Sequence, residues 1–521
     1  MSPEASSQTG RAASHRRTAA PWWEQRTTAI GLILLSAIPL LYPGIPPLVD
    51  LFGHMGRYRV ELDLATSPWL KDYYGFHWAA IGNLGVDILV IPLAKIFGLE
   101  LAVKLIVLAI PPMTVAGFLW VAREVHGRIP PTALFALPFA YSHPFMFGFV
   151  NFALSIALAF LAFGLWLRLA RQGRLKLRAI LFVPISLVVY FTHTFGWGVL
   201  GLLCFSGEAV RQHDSGKGWF RSGINAALHA SVMALPLLFM IAWRSQIRGG
   251  STGHWFDLQL KWTFFVRSLR DQWKWFDRAA LAVLALIVLE AMRRRELTFS
   301  RNLLFSALVL FAGYMLLPYR VFSSVYADMR MIPYAIAVLL LAIRFRADTQ
   351  RPLADVIAVL GLVFFLVRIA GTTISLGTAA RDQAAKLEAL NHVPMGARVL
   401  SLVDEGCGNE WSLPRNTHLG AMTIVRRHGF SNDQWVTAGA NLLSMRYRDA
   451  HPFEADPSQI VRIPRCAARL YWTLPSALRA IPPGKFDYLW LIDTPVPDPR
   501  LVQGLQPVWR GEGSILYRMQ P

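Results

Sequence analysis

The sequence predicts an all-α polytopic membrane bundle of about 11 transmembrane helices, followed by a small α/β domain outside the membrane. The first observation is composition. Of 521 residues, 54% are hydrophobic and 16% are charged, with a mean hydropathy of +0.39. A soluble globular chain has too little surface for so many apolar side chains. The second is that long apolar runs alternate with short Arg-rich connections up to residue 376, after which strand and turn patterns follow.

A basic leader at 1–27 precedes the first apolar run at 28–44. A signal peptide is the alternative interpretation, but the run is followed by "YPGIPP" and has no clear small-x-small cleavage site. We therefore expect a retained first transmembrane helix with its N-terminus in the cytoplasm.

The transmembrane domain is predicted over 28–376. Its candidate crossings are 28–44, 101–122, 131–142, 152–170, 178–192, 195–211, 222–243, 278–292, 302–318, 329–346 and 353–376. Arg-rich connections are retained on the cytoplasmic side, and they lie at 123–128, 168–178, 211–221, 293–301 and 344–351. They alternate with connections that have less net positive charge or are rich in His and aromatic residues, at 45–100, 143–151, around 193, 245–277 and 319–328. An odd number of crossings places the C-terminal region outside.

One segment, 82–98, is apolar enough to cross the membrane, but a crossing there would reverse every later assignment. It also contains Asp87, Pro92 and Lys95. We interpret it as a membrane-embedded or surface-lying helix on the outer side, and a crossing stays the alternative.

Residues 377–521 are predicted to form an extracytoplasmic α/β domain. "ARVLSLVD", "FDYLWLID" and "SILYRM" are typical of strands, and "RDQAAKLEALNHV" has helical spacing. Cys407 and Cys466 both lie in this region. In an oxidising compartment they would form a disulfide, and otherwise they would be two inert thiols.

The formal charge of +20 is spread in short clusters such as Arg293–Arg295, which indicates membrane topology rather than nucleic-acid binding. No Gly-x-Gly-x-x-Gly, phosphate-loop Lys motif, His-Glu-x-x-His or Asp-x-Asp occurs. A substrate energised by nucleotide hydrolysis is therefore disfavoured.

Every predicted outer connection carries polar groups to the same membrane face. Ionisable groups near bilayer depth usually face a protein-lined cavity rather than lipid, so we predict one outward-opening polar cavity. The candidate groups are Asp50, His54 and Arg57; His143 and Asn151; His193; His254 and Asp257; and Arg320, Tyr326, Asp328 and Arg330.

Structural roles compete with functional ones for these residues. Asp50 has the residue type and position of an N-cap for a helix that begins near Leu51. Asp328 and Arg330 suit a buried ion pair or a topology signal as well as ligand binding. His143 and His193 stand at helix ends beside aromatics, where an interfacial histidine is the common explanation.

The sequence resembles the GT-C superfamily of membrane glycosyltransferases. The acidic residue after the first helix ("PPLVDLFGHMGRYRV"), the following segment ("FHWAAIGNLGVDILVIPLAKIFGLELAVKL"), "ALPFAYSHPFMFGFVNFALSIAL" and the late Arg of "YADMRMIP" carry the likeness. The α/β tail is also similar to theirs.

The resemblance implies a polyprenyl-phosphate sugar as donor, a glycan or lipid as acceptor, and an active site on the outer face of the inner (plasma) membrane. It implies that Asp50 is the base that activates the acceptor hydroxyl and that Arg330 holds the donor phosphate. His54, Arg57, His143, Asn151, His193 and Asp328 are the further substrate-binding candidates.

The chain departs from the family pattern in two places. Many relatives have a second acidic residue in the second outer loop, where this chain has His143 and Asn151, and Asp50 is followed by "LFGH" rather than an adjacent Glu. A divalent metal is therefore an open question.

Two other functions compete with an inverting glycosyltransferase. One is a transporter or flippase of lipid-linked saccharides, although paired Gly/Pro-interrupted segments in corresponding halves are not evident. The other is a non-enzymatic partner in envelope assembly.

Overall fold

The computed structural model describes residues 20–246, 251–321, 324–346, 351–407, 410–436, 441–467 and 471–519. Apolar helices dominate up to residue 387, and strands follow. The helices of the first part are α1 Arg26–Leu35, α2 Ile38–Leu41, α3 Leu51–Asp63, α4 Leu70–Tyr73, α5 Gly85–Phe97, α6 Leu99–His126, α7 His143–Met146, α8 Val150–Arg171, α9 Leu175–Thr192, α10 Thr194–Asp214, α11 Trp219–Ala230, α12 Pro236–Gln246, α13 Leu258–Val266, α14 Lys274–Arg293, α15 Arg301–Leu316, α16 Ile332–Ala342 and α17 Arg351–Leu387.

Helices of a multi-pass membrane protein are present. Within the described ranges, four are long and apolar enough to cross a bilayer: Leu99–His126, Val150–Arg171, Leu175–Thr192 and Arg351–His392. A bent pair, Trp219–Met233 with Pro236–Trp243, would form a fifth. Shorter apolar helices lie at Arg26–Leu41, Arg301–Leu316 and Ile332–Ala342. A mostly helical membrane architecture is thus confirmed, whereas the number of 11 crossings is not.

Two apolar segments are too short to cross alone. The run predicted to cross at 131–142 is a 3₁₀ helix, Pro131–Tyr141, in which every residue is buried. Helix α5 has 13 residues with Pro92 inside, so it is about 20 Å long, against roughly 30 Å of hydrocarbon. In Pro131–Tyr141 hydropathy reflects burial inside protein rather than membrane crossing. Helix α5 instead exposes Ile88, Leu89, Ile96 and Phe97, which suits a membrane-embedded or surface-lying helix.

The C-terminal region contains a six-stranded mixed sheet. Strand β4 Arg398–Asp404 pairs in parallel with β5 Phe430–Ser431, β7 Ile460–Val461 and β8 Tyr488–Ile492. Strand β10 Ser514–Arg518 lies antiparallel between β8 and β9 Gln506–Gly511. The strands predicted in "ARVLSLVD", "FDYLWLID" and "SILYRM" are β4, β8 and β10. Two helices, α18 Met422–Arg427 and α19 Leu474–Ala480, accompany the sheet.

This region is joined closely to the connection after α2. Strand β1 Tyr74–Phe76 pairs antiparallel with β6 Leu443–Met445, and Arg59 of α3 donates from Nε to the Val425 carbonyl at 3.1 Å. Helix α17 runs through residue 377 without a break. The predicted division at 376/377 therefore falls inside a helix, and the domain bounds stay a prediction. The remaining strands, β2 Leu297–Phe299 and β3 Ile343–Phe345, pair with each other.

Candidate active site

A cavity of about 860 Å³ lies where the N-terminal ends of several helices meet the C-terminal region. The chain before and within α3, the starts of α8 and α10, and the loop before α16 form one side. Loops after β4 and around β7 form the other. The charged or polar side chains discussed below that line it are Asp50, His54, Arg57, Asn151, His193, Arg270, Arg330, Glu405, Arg415, His418, Asp456, Arg462 and Tyr471.

Asp50 lines this cavity and is 13% exposed. It is the N-cap residue of α3, as the structural alternative expected, but its side chain makes no capping hydrogen bond in the described structure. Its backbone is fixed instead, because its N–H donates to the Phe147 carbonyl at 3.0 Å. Gly148, with φ +97°, allows this contact, since a Cβ there would lie 2.6 Å from the Asp50 nitrogen. The carboxylate is left available to the cavity.

His418 faces Asp50 from the C-terminal region. Its Nε2 lies 3.9 Å from Asp50 Oδ1, and its Nδ1 is 3.1 Å from the Asp433 carbonyl. A carbonyl only accepts, so Nδ1 carries the proton and Nε2 of the neutral ring has its lone pair free. Burial lowers the His418 pKa to about 4, so the ring is neutral at physiological pH. The cavity thus places a neutral acceptor beside the carboxyl group.

Burial is the main cause of a raised Asp50 pKa, well above the usual carboxyl range. The charges of Asp456 and Glu405 raise this pKa further, and Arg330 lowers it. Burial also lowers the Arg330 pKa to about 10, while Asp50 raises it. Asp50 and Arg330 therefore feel each other's charge.

Arg330 is 7% exposed and lies just before α16. Its Nη1 donates to the Val325 carbonyl at 3.0 Å, and its guanidinium carbon is 4.2 Å from the Phe149 ring centre. Its Nε has no hydrogen-bond partner in the described structure. Arg330 also lines the cavity, so its positive charge lies beside that space.

Other guanidinium groups of the cavity wall are already paired. Arg270 donates to the carbonyls of residues 410–412, at 2.6–3.0 Å, Arg415 pairs with Asp271, and Arg462 pairs with Glu405 at 3.0 Å. Arg415 and Arg462 thus each have a carboxylate partner, whereas Arg330, like Arg270, has none within ion-pair distance among the described residues. Arg330 differs from Arg270 in making one carbonyl contact rather than three.

Arg57 and Asn151 line the cavity but share a buried partner. Arg57 Nη2 lies 2.8 Å from Asp87 Oδ1, and Asn151 Nδ2 donates to Asp87 Oδ2 at 3.0 Å. The Asn151 Oδ1 accepts the Val86 N–H at 2.6 Å. Asp87, in the segment whose depth was uncertain, thus fixes both side chains. Substrate contact by Arg57 or Asn151 stays a prediction.

His54 and His193 both line the cavity. The His54 ring lies 5.0 Å from that of Trp435, and its Nδ1 has no partner within the described ranges. His193 is the N-cap of α10, where its Nδ1 accepts the Phe195 N–H at 3.1 Å. His193 therefore combines the predicted structural role with a place at the wall, and substrate binding by either ring stays a prediction.

The structure does not place His143 or Asp328 at the cavity wall. His143 is buried behind Arg270, with Nε2 3.4 Å from Arg270 Nη1. Asp328 forms a buried ion pair with Lys261 at 3.2 Å. Substrate contact by either residue stays a prediction. The ion-pair alternative describes the observed geometry of Asp328.

Sequence reasoning missed the residues that the C-terminal region contributes, chiefly Glu405, His418 and Asp456. No local pattern marks them, because they approach Asp50 only through tertiary folding. The two cysteines of this region were the one signal in the sequence. In the structure Cys407 and Cys466 form a disulfide with a Cα–Cα distance of 5.4 Å. It joins the loop after β4 to the loop after β7, and both loops line the cavity.

A metal centre is not evident in the described part of the chain, where no group of three or more His, Cys, Asp or Glu side chains could hold an ion.

Among the solved structures similar to this chain are two crystal structures of ArnT from Cupriavidus metallidurans. The apo structure has a TM-score of 0.49, and the structure bound to undecaprenyl phosphate has a TM-score of 0.47. In both cases the sequence identity is 12%, and the match covers 95% of this chain and 98% of the other. No family model and no curated protein matches the sequence. Similarities this distant assign no role to individual residues.

Proposed function

We propose that this chain is a membrane glycosyltransferase that moves a sugar from a polyprenyl-phosphate donor to an acceptor hydroxyl, with inversion. The observation that carries the proposal is one cavity whose wall contains a carboxyl group without a capping bond, Asp50, and an arginine without a carboxylate at ion-pair distance among the described residues, Arg330. These two groups match the two charges that such a reaction develops.

Asp50 acts as the general base. The acceptor hydroxyl gives its proton to the Asp50 carboxylate as its oxygen bonds to the anomeric carbon from the face opposite the leaving phosphate. The bond between the anomeric carbon and the phosphate oxygen breaks in the same step, so the configuration inverts. Burial raises the Asp50 pKa well above the usual carboxyl range, which makes the carboxylate a stronger base. General-base help of this kind contributes about 10²–10⁴-fold to the rate.

Arg330 stabilises the polyprenyl phosphate as it leaves. The phosphate gains negative charge when its bond to the sugar breaks, and a guanidinium donates two parallel hydrogen bonds to such an anion. Arg330 is largely buried, so each charge-assisted bond contributes more there than in bulk solvent.

His418 supports Asp50 after proton transfer. With a pKa of about 4, the imidazole is too weak a base to take the proton outright. Its free Nε2 instead accepts a hydrogen bond from the protonated carboxyl group once the 3.9 Å gap closes to about 3 Å.

The cavity opens on the outer face of the inner (plasma) membrane, and the N-terminus is cytoplasmic. Support comes from charge, because the Arg-rich ends of α8 (Arg168, Arg171) lie opposite the α8 end that reaches the cavity. The disulfide between Cys407 and Cys466 also fits an oxidising compartment.

Donor turnover by purified protein in lipid nanodiscs tests the proposal. With a panel of undecaprenyl-phosphate sugars, Asp50→Asn is expected to lower turnover by about 10²–10⁴-fold. Asp63→Asn, on the same helix α3, is the matched control and retains turnover. A transporter would move the lipid-linked sugar without cleaving it, and an assembly partner would be indifferent to Asp50→Asn. Equal turnover in the wild type and Asp50→Asn would exclude the mechanism.

A further inference from the structure

A second cavity, of about 380 Å³, adjoins the first within the C-terminal region. Asp456, Pro457 and Tyr471 line both cavities. A volume of this size falls within the range of small-molecule sites, about 300–1,000 Å³. A molecule bound in the second cavity would therefore lie next to the one that contains Asp50.

The second cavity has flat aromatic rings beside carboxyl groups. Tyr471 and Trp472 line it, and Trp472 packs 5.2 Å from Phe453 between ring centres. Asp456 accepts from Gln459 Nε2 through Oδ1 at 2.7 Å, which fixes the carboxyl group. Arg462 lies over the Tyr471 ring at 3.8 Å, but the Tyr471 side chain is only half-buried and lines the cavity. Aromatic faces pack against the C–H face of a pyranose, and carboxylates accept from its hydroxyls.

The charge of the second cavity excludes one class of ligand. Glu454 and Asp456 line it, and its described lining contains no lysine or arginine. Arg448 pairs with Glu454 at 3.5 Å, but Asp456 has no cation within ion-pair distance among the described residues. A phosphorylated or otherwise anionic molecule would therefore be repelled by Asp456. Arginines line the first cavity instead, Arg330 among them, where the donor phosphate would bind.

Building on the proposed transferase function, we infer that the second cavity is the acceptor subsite and that the acceptor is a neutral, hydroxyl-rich glycan. The glycan packs on Tyr471 and donates hydroxyl hydrogen bonds to Asp456. Its terminal residue extends past Asp456 and Pro457 into the first cavity, where one hydroxyl meets Asp50.

A glycan array probed with the full chain in nanodiscs tests this inference. The array carries neutral saccharides and the same saccharides bearing phosphate. We expect binding to neutral members, weakened about tenfold or more by Tyr471→Leu and weakened by Asp456→Asn, with Tyr471→Phe retaining it. Asp449→Asn, at an exposed ion pair of the same region, is the matched control and binds like the wild type.

Three results would each overturn the inference. The chain could prefer phosphorylated saccharides, it could bind no member of the array, or binding could be unchanged in Tyr471→Leu. Donor cleavage without acceptor, with water as the nucleophile, reports separately on the proposed function. If the donor is cleaved but the chain binds only the phosphorylated saccharides, the acceptor subsite is refuted and the proposed function stands. If the donor is not cleaved but glycan binding depends on Tyr471, the transferase function is refuted and the glycan-binding site stands.

Discussion

Replacing Gly148 with alanine tests how Asp50 is positioned. Gly148 has φ +97°, and a Cβ there would lie 2.6 Å from the Asp50 nitrogen and 3.1 Å from its Cβ. The left-handed conformation costs about 1–2 kcal/mol for a residue with a side chain, and relieving the close contact costs about 1–3 kcal/mol. Gly148→Ala is therefore expected to lower the free energy of unfolding by about 2–5 kcal/mol.

Gly216→Ala separates these two costs. Gly216 has φ +92° and no atom within 4 Å of an added Cβ, so it carries the conformational cost without the contact. Reversible unfolding in mixed micelles should show Gly148→Ala as the less stable by about 1–3 kcal/mol. Donor turnover should fall about 10²-fold in Gly148→Ala alone, because a catalytic group displaced by about 1 Å loses roughly that much. Equal unfolding free energies and full turnover in both variants would refute the reasoning.

Three further predictions concern charge and topology. Turnover should rise with pH as Asp50 loses its proton, with a midpoint above the usual carboxyl range because burial raises this pKa. The pH–rate profile of Asp456→Asn should have a lower midpoint, since the Asp456 charge raises the Asp50 pKa; an unmoved midpoint would contradict the coupling. Asp87→Ala should lower the free energy of unfolding by about 3–5 kcal/mol, because it leaves Arg57 charged and buried. The control Asp449→Ala, at an exposed ion pair, should lower it by no more than about 1 kcal/mol. Equal losses in the two variants would show that the buried pair does not stabilise the fold. Val496→Cys, at a position 90% exposed, should react with an impermeant maleimide on intact spheroplasts. Gln172→Cys, at the end of α8 away from the cavity, should react only after lysis. The reverse pattern would overturn the topology.

The strands were predictable because their patterns are local. Alternating or continuous apolar residues in "ARVLSLVD" and "FDYLWLID" require burial in a sheet, and both segments form its centre. The number of membrane crossings was harder to predict from the sequence, because an apolar run such as 131–142 is equally compatible with a short 3₁₀ helix buried among other helices. Composition indicates burial, and only length and partners decide whether the burial is in lipid.

The candidate site was likewise predictable where local sequence features mark a residue, and not where tertiary packing alone positions it. Asp50, His54, His193 and Arg330 were found because each stands at a helix end, and helix ends on one membrane face converge. His418 and Asp456 follow no such rule, because loops of the C-terminal region bring them to Asp50. Asp328 was a candidate for the same reason as Arg330, but its pairing with Lys261, which is 67 residues away in sequence, depends on packing that the sequence does not display.

The position of a bound lipid phosphate tests the central claim most directly. Electron cryomicroscopy of the chain saturated with undecaprenyl phosphate requires no knowledge of the sugar. We predict that the phosphate lies in the first cavity within about 2.7–3.0 Å of the Arg330 guanidinium, with the Asp50 carboxyl group facing the same space. A phosphate bound outside this cavity, with Arg330 making no contact to it, would contradict the account.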